Sequence, residues 1–238
     1  MRLFLALLED GGQTSLAVIA QACGVPASTA RRSVTALLRL GLLTRMARGR
    51  YGPGVRLAAL PWTGAHAVLR QAARPSLRRL AQRQGATAHL AVLEGDMATY
   101  LVKEQAGAHP VLSRELIQLE AYCSGVGKVL LAHLPPSARD AYLAAGPFPA
   151  LTPNTITDPA QLRAALRKIR QEGYAVDDAE LAPGLYCMAV PLRGPGVTIA
   201  GAISLSGVPK EALNATLQSH LQSCATAIGR RLGWVAGG

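Results

Sequence analysis

Aromatic side chains are scarce in this 238-residue chain: two Trp, six Tyr and two Phe, with little beyond Tyr51 and Trp62 in its first third. That argues against a single-strand nucleic-acid platform, which stacks bases on exposed rings. Cysteine is sparse too. Cys23, Cys123, Cys187 and Cys224 are widely spaced, with no C-x-x-C pair and no histidine at metal spacing, which implies reduced thiols in a cytoplasmic protein and no structural zinc. Long apolar runs are missing as well. The stretch 3–8 ends in Glu9-Asp10, too short for a signal peptide, and no run approaches the roughly 18 residues of a membrane span. No metal, cofactor or membrane partner is expected.

What is present is charge of one sign in one place. Residues 1–84 carry 13 Lys/Arg against 2 Asp/Glu, and residues 85–238 carry 12 of each. The net charge of +11 therefore sits in the first third, where a polyanion would bind. Within it, residues 13–51 read as two short helices around a glycine turn, followed by an Arg-studded hairpin. Ser15 is placed to cap a helix over 16–22 with Leu16, Ile19 and Ala20 inward. Gly24 makes the turn, and Pro26 falls in the first turn of the next helix, which ends at Gly41.

On a helical wheel, Ala27, Ala30, Val34, Leu37, Leu38 and Gly41 form one buried stripe. Ser28, Thr29 and Arg32 face the other way near the N-terminus, where base edges are read, and Thr35 and Arg39 lie further back, toward phosphates. Residues 42–44 and 50–52 can pair as a hairpin with Arg45, Arg48 and Gly49 at its tip. This is the plan of a winged helix-turn-helix on duplex DNA. The DNA-binding set is Ser28, Thr29, Arg31, Arg32, Thr35, Arg39, Arg45, Arg48 and Arg50.

Residues 53–61 read as a linker, and a helix follows over 65–84 with Val68, Ala72, Leu77, Leu80 and Ala81 inward. Pro75 should divide it into a connecting helix and a domain-opening one. Strands are expected over 87–93 and 99–105 around Glu94-Gly95-Asp96, and over 186–192 and 198–205 around Arg193-Gly194-Pro195-Gly196. Helices are expected over 125–134 behind Ser124, from Thr157-Asp158-Pro159 through Lys168 to an end before Gly173, and over 210–234. Helices on one side of a largely antiparallel sheet make an α+β domain. The expected division is 1–53 for DNA binding, 54–74 for linker and linker helix, and 75–238 for the second domain.

The chain resembles the IclR family of bacterial transcription regulators along nearly its whole length. The likeness rests on Leu16-Ala17-Val18-Ile19-Ala20, Gly24-Val25-Pro26, Ser28-Thr29-Ala30-Arg31-Arg32 and Leu40-Gly41-Leu42 in the first part. In the second it rests on Gly125-Val126-Gly127-Lys128, Thr155-Ile156-Thr157-Asp158, Gly173-Tyr174-Ala175-Val176-Asp177, Glu180, Cys187, Ala189-Val190-Pro191 and Ala202-Ile203-Ser204-Leu205-Ser206-Gly207.

The resemblance implies a winged helix-turn-helix, a linker helix and a GAF-like effector-binding domain. It also implies a homodimer or homotetramer, and repression or activation of an operon in response to a small organic acid. Matching positions for the effector are Val111, Leu119, Gly125, Val126, Asp177, Leu185, Cys187, Ser204 and Ser206. The set is physically coherent. Ser204 and Ser206 share one strand face, and the N–H groups of Gly125 and Val126 open a helix, where a carboxylate is favoured. Where the family commonly has Pro-x-His, this chain has Glu120-Ala121-Tyr122, and Glu120 and Tyr122 are expected to narrow the pocket. The chain also starts almost at its first helix, so a missing N-terminal arm or a misassigned start is expected.

Other readings are weaker. Cys123 and Cys187 are the candidate nucleophiles, but none of the five histidines (His66, His89, His109, His133, His220) stands beside either by motif, so no catalytic residue and no enzyme is expected. The same two thiols make redox sensing the alternative function. Asp177-Asp178 could pair for acid–base work; a strand end with one Asp hydrogen-bonded in the pocket is favoured. A winged helix used for protein contact is the third class, and its binding would not respond to salt.

Overall fold

The computed structural model describes residues 2–58, 63–108, 111–195 and 199–234. Trp62, His109, Gly196, Thr198 and part of the 53–61 linker lie outside them. The chain falls into two compact units, Met1–His66 and Ala67–Gly238.

The first unit runs α1 (Arg2–Asp10), α2 (Leu16–Ala22), α3 (Ala27–Arg39), the hairpin β1 (Leu43–Ala47) and β2 (Arg50–Pro53), then α4 (Val55–Ala58). Its core interlocks Leu3, Leu7, Leu16, Ile19, Ala30, Val34, Leu43 and Tyr51. Gly24, at φ +68°, makes the left-handed turn between α2 and α3.

Three details differ from expectation. Ser15 stands at the N-cap of α2 but its side chain makes no capping bond; the first free amide, on Leu16, donates to Gly49 O of the hairpin at 2.8 Å. Pro26 precedes α3 in an extended conformation, so it caps the helix from outside. Ala27 is exposed, because it is the first residue of α3, before the helix meets its neighbours. The hairpin turns at Arg48-Gly49, with Gly49 at φ +72°. A register shift after Arg45 extends the strand and leaves Arg45 opposite Tyr51 in mid-strand, away from the tip.

The second unit carries all but the first turn of α5 (Thr63–Gln84), then β3 (Thr87–Glu94), β4 (Met97–Gln105), β5 (Gln118–Glu120), α6 (Gly125–Ala132), α7 (Pro136–Ala144), α8 (Pro159–Glu172), β6 (Ala175–Asp178), β7 (Tyr186–Arg193), β8 (Ile199–Ser206) and α9 (Ala215–Arg231). The strands form one antiparallel sheet in the order β5-β4-β3-β8-β7-β6. Local signals explain most boundaries. Asp158 accepts the Gln161 amide at 2.7 Å to start α8, and Gly173 ends it at φ +76°. The last helix starts at Ala215, five residues later than expected, because Asn214 caps it by accepting the Thr216 and Leu217 amides.

Pro75 does not divide α5, which runs through it without a break. One hydrogen bond is lost there, but packing on both sides holds the helix straight on: Leu69 and Ala73 before it, Leu77, Leu80 and Ala81 after it, all buried. Leu77, Leu80 and Ala81 are inward as expected, but before the proline the stripe is Leu69 and Ala73, since Val68 is exposed and Ala72 only half-buried. Helices also cover both sheet faces, where one was expected. Leu90, Met188, Val190, Ile203 and Leu205 meet α5 and α9 on one face. Ala91, Ala98, Ala175, Ala189 and Ala202 meet α6 on the other, and α8 packs on α6. The central strands are apolar on both sides, so no face is free for water.

Candidate functional site

In the first unit, Ser28, Thr29, Arg31, Arg32, Thr35 and Arg39 all lie exposed on α3, and Arg45, Arg48 and Arg50 are exposed on the hairpin. The α3 face is not uniformly free to reach out. Thr35 Oγ1 donates back to Arg31 O at 2.9 Å, which turns its hydroxyl toward its own helix. Arg45 lies over the Tyr51 ring, 5.9 Å from its centre, which orients the guanidinium on the hairpin face.

In the second unit the alanine face of the sheet leaves room for α6 to approach closely. Gly125 permits that approach, since a Cβ there would sit 3.1 Å from Cys187 Sγ, and Gly127 lets the preceding turn fold back on the helix, since a Cβ there would sit 2.3 Å from Ala121 O. Ser124 Oγ accepts the Gly127 amide at 3.2 Å and caps the helix. Where α6 begins, the alanines give way to polar residues set by register. Asp177 pairs with Cys187, Cys187 with Ser206, and Ser206 with Thr87. One row over, Ala189 pairs with Ser204, and Ser204 with His89. Directly opposed residues share a face, so these side chains converge beside the start of α6.

A cavity of about 200 Å³ opens there. Val111, Leu119, Gly125, Asp177, Leu185, Cys187 and Ser206 line it, together with His89, Tyr100, Leu112, Ser113, Leu181 and Ala182. Val126 and Ser204 of the expected set are not in its wall. Val126 is buried in the core with α8, and the Ser204 hydroxyl lies 3.4 Å from His89 Nδ1. Tyr122 does not narrow the cavity. Its ring packs on Phe148 at 5.0 Å and its hydroxyl donates to Pro149 O at 2.7 Å, on the far side of α6's core. Glu120 is likewise outside the lining.

His89 and Ser113 were not legible as site residues. His89 stands in an apolar strand, where the only signal is its polarity two residues from Thr87. Ser113 belongs to irregular chain, where periodicity says nothing. The two meet: His89 Nε2 lies 2.7 Å from Ser113 Oγ. Burial, with the Lys103 charge added, pulls the imidazole down to about 3 and keeps it neutral. Lys103 Nζ donates to Val111 O at 2.7 Å and to Ser113 O at 2.8 Å, so this cation secures the cavity wall. The cavity lining holds no Lys or Arg.

The wall continues into Glu115, which accepts from the Lys103 amide at 3.1 Å and bridges Arg70 at 2.8 Å and Arg74 at 2.7 Å on α5. Burial alone would raise its pKa, but the Lys103 amide and Arg74 outweigh that and hold it low. Asp177 behaves oppositely. It is 1% exposed, and burial pushes it up to about 7 although its Oδ1 accepts the Glu180 amide at 2.7 Å and Lys128 lies near. Lys128 and Glu180 form a buried ion pair, and Lys128 Nζ also donates to Val176 O at 2.7 Å. Asp178 is apart from these, paired with Lys210 at 2.8 Å. Burial also pushes both Cys123 and Cys187 up to about 12, which keeps the thiols protonated and unreactive.

Residues 64–230 match the family model of the bacterial transcriptional regulator IclR C-terminal domain, and residues 1–46 match that of the IclR helix-turn-helix domain. The chain belongs to the IclR family. Among curated IclR-type relatives, the uncharacterized HTH-type transcriptional regulator RhmR of Escherichia coli is 32% identical over 239 residues, covering 97% of this chain and 90% of that protein. The Pca regulon regulatory protein of Pseudomonas putida is 30% identical over 211 residues, covering 84% and 70%. An IclR homolog from Microbacterium hydrocarbonoxydans, solved in complex with 4-hydroxybenzoate, superposes with a TM-score of 0.67 at 29% identity, covering 98% of this chain and 99% of that one. The IclR of Thermotoga maritima superposes with a TM-score of 0.65 at 29% identity, covering 97% of each. As an IclR-family member this protein is a DNA-binding transcriptional regulator. Among the described residues no helix is long and apolar enough to cross a membrane.

Proposed function

We propose that this IclR-family regulator binds its operator as a homodimer or homotetramer and that a small organic acid in the cavity beside Asp177 sets its operator affinity. The observation that carries this is the wall of that cavity, which is tied by Glu115 to Arg70 and Arg74 of the linker helix α5. The acid group would meet the Gly125 amide at the start of α6, the Ser206 hydroxyl and a protonated Asp177, all hydrogen-bond donors. Val111, Leu119 and Leu185 would set its size. The 4-hydroxybenzoate complexed with the similar Microbacterium protein supports an aromatic monoacid.

A thermal-shift screen of small carboxylates tests the ligand. A ligand at a hundred times its dissociation constant should stabilise the protein by about 2.7 kcal/mol. Hits should also change affinity for DNA upstream of the gene, and a hit with no such effect would count against the switch. Glu115→Gln should leave the stabilisation in place and remove most of the effector-dependent change in DNA affinity.

On DNA, Arg32 would read a base and Arg48 would hold the backbone; both are exposed. Arg32→Ala should cost about 1–3 kcal/mol on the operator and relax base preference at one position. Arg48→Ala should weaken operator and random DNA alike and make the salt slope shallower by about 0.9. Fluorescence anisotropy across a salt series checks both; equal losses on specific and random DNA for both variants would overturn the division.

A further inference from the structure

The arginines of α5 separate into two groups. Arg70, Arg74 and Arg78 are neutralised by Glu104 and Glu115. Arg79 and Arg83, one turn apart, have no carboxylate partner among the described residues. Like charges at this spacing repel. Both face a groove of about 250 Å³ between α5 and α9, and no residue lining it is acidic.

The groove is furnished with further donors. Arg79 Nη2 donates to the buried Ser76 hydroxyl at 3.3 Å, which holds the guanidinium at the rim. Gln84 Nε2 lies 3.1 Å from His220 Nδ1. An amide NH₂ only donates, so Nδ1 accepts and Nε2 carries the ring proton, a donor on a groove-lining side chain. Ser223 adds a hydroxyl, while Leu80 and Cys224 make an apolar floor.

We propose that this groove is a second ligand site, separate from the Asp177 cavity, which takes a small molecule with an oxyanion head, phosphate or carboxylate, on an apolar body. Two guanidiniums supply paired donors to the head, and the floor accepts the body.

Phenyl phosphate is the probe, titrated calorimetrically into the full-length protein, with inorganic phosphate and benzoate as arms that separate head from body. Phenyl phosphate is expected to saturate at one equivalent per chain below about 10 mM and to weaken at least about tenfold in Arg79→Gln/Arg83→Gln. Arg78→Gln, on the same helix but in the neutralised group, should bind as the parent does. Single Arg83→Gln, a residue with no side-chain bond to lose, should still show severalfold weakening if the double variant folds poorly. Binding equal in parent and Arg83→Gln, or no saturation, would overturn the proposal. So would a groove closed by a second copy, seen as absent binding with a sedimentation change in the Arg79→Gln/Arg83→Gln variant.

Discussion

Lys128→Met is expected to lower folding stability by about 3–5 kcal/mol, the cost of leaving a buried charge without its partner. Lys128 is 3% exposed and Glu180 5%, so neither reaches solvent. The ammonium bridges Glu180 and the Val176 carbonyl, and so ties α6 to β6 and to the loop that follows it. Burial already pushes Glu180 up against the pull of Lys128. Without the lysine, Glu180 must take a proton to stay inside. Urea unfolding measures the loss as a lower midpoint with an unchanged slope. Lys128→Met/Glu180→Leu should recover much of it, because replacing both partners removes the orphan. A single-variant loss below about 1 kcal/mol would mean that the pair is worth no more than one at the surface.

Asp177→Asn should gain stability relative to the parent as pH rises. The carboxyl titrates from 3.8 in the unfolded chain to about 7 in the folded one. Between those values the native state keeps a proton that the unfolded state has lost, so parent stability falls as pH rises through that window. Above the folded value the loss levels off at up to about 4 kcal/mol; below the unfolded value both states are protonated and the loss vanishes. Asn keeps the oxygen that accepts the Glu180 amide and replaces the titrating one by NH₂. The variant should therefore gain stability over the parent between pH 4 and pH 8, about the two ends of that window, when denaturant midpoints are compared at both. On the proposed function, organic-acid binding should weaken above neutrality in the parent and not in the variant. Parallel stability profiles for the two proteins would show that Asp177 does not carry the proton.

How much of this could be read from the chain depends on whether the signal was local. The Ser124 and Asp158 caps, the left-handed Gly173 and the i, i+2 placement of Ser204 and Ser206 are properties of a few consecutive residues, and each was readable. Pro75 misled because its penalty is local while its remedy, burial of Leu69 and Leu77 on either side, is tertiary. The two-sided sheet was missed because Ala91, Ala189 and Ala202 look weakly hydrophobic in sequence, yet their small size is what admits α6. Within the cavity, register decides. It turns Ser206 to the wall and Ser204 toward His89, and no pattern along one strand records which strand lies opposite. Tyr122 was judged by bulk alone, and its partners Phe148 and Pro149 are 26 and 27 residues away in the chain.

The proline in α5 has a mechanical consequence. A helix lacking one hydrogen bond at residue 75 is a notched rod, softest where the 71 carbonyl has no amide to receive. Glu104 grips Arg74 and Arg78 on either side of the notch, and Glu115 grips Arg70 and Arg74 just before it. These carboxylates act as a splint, and a splint made of partly solvated charges softens as ionic strength rises. The bending stiffness of this rod is therefore adjustable, through salt and through whatever moves the strap that carries Glu115.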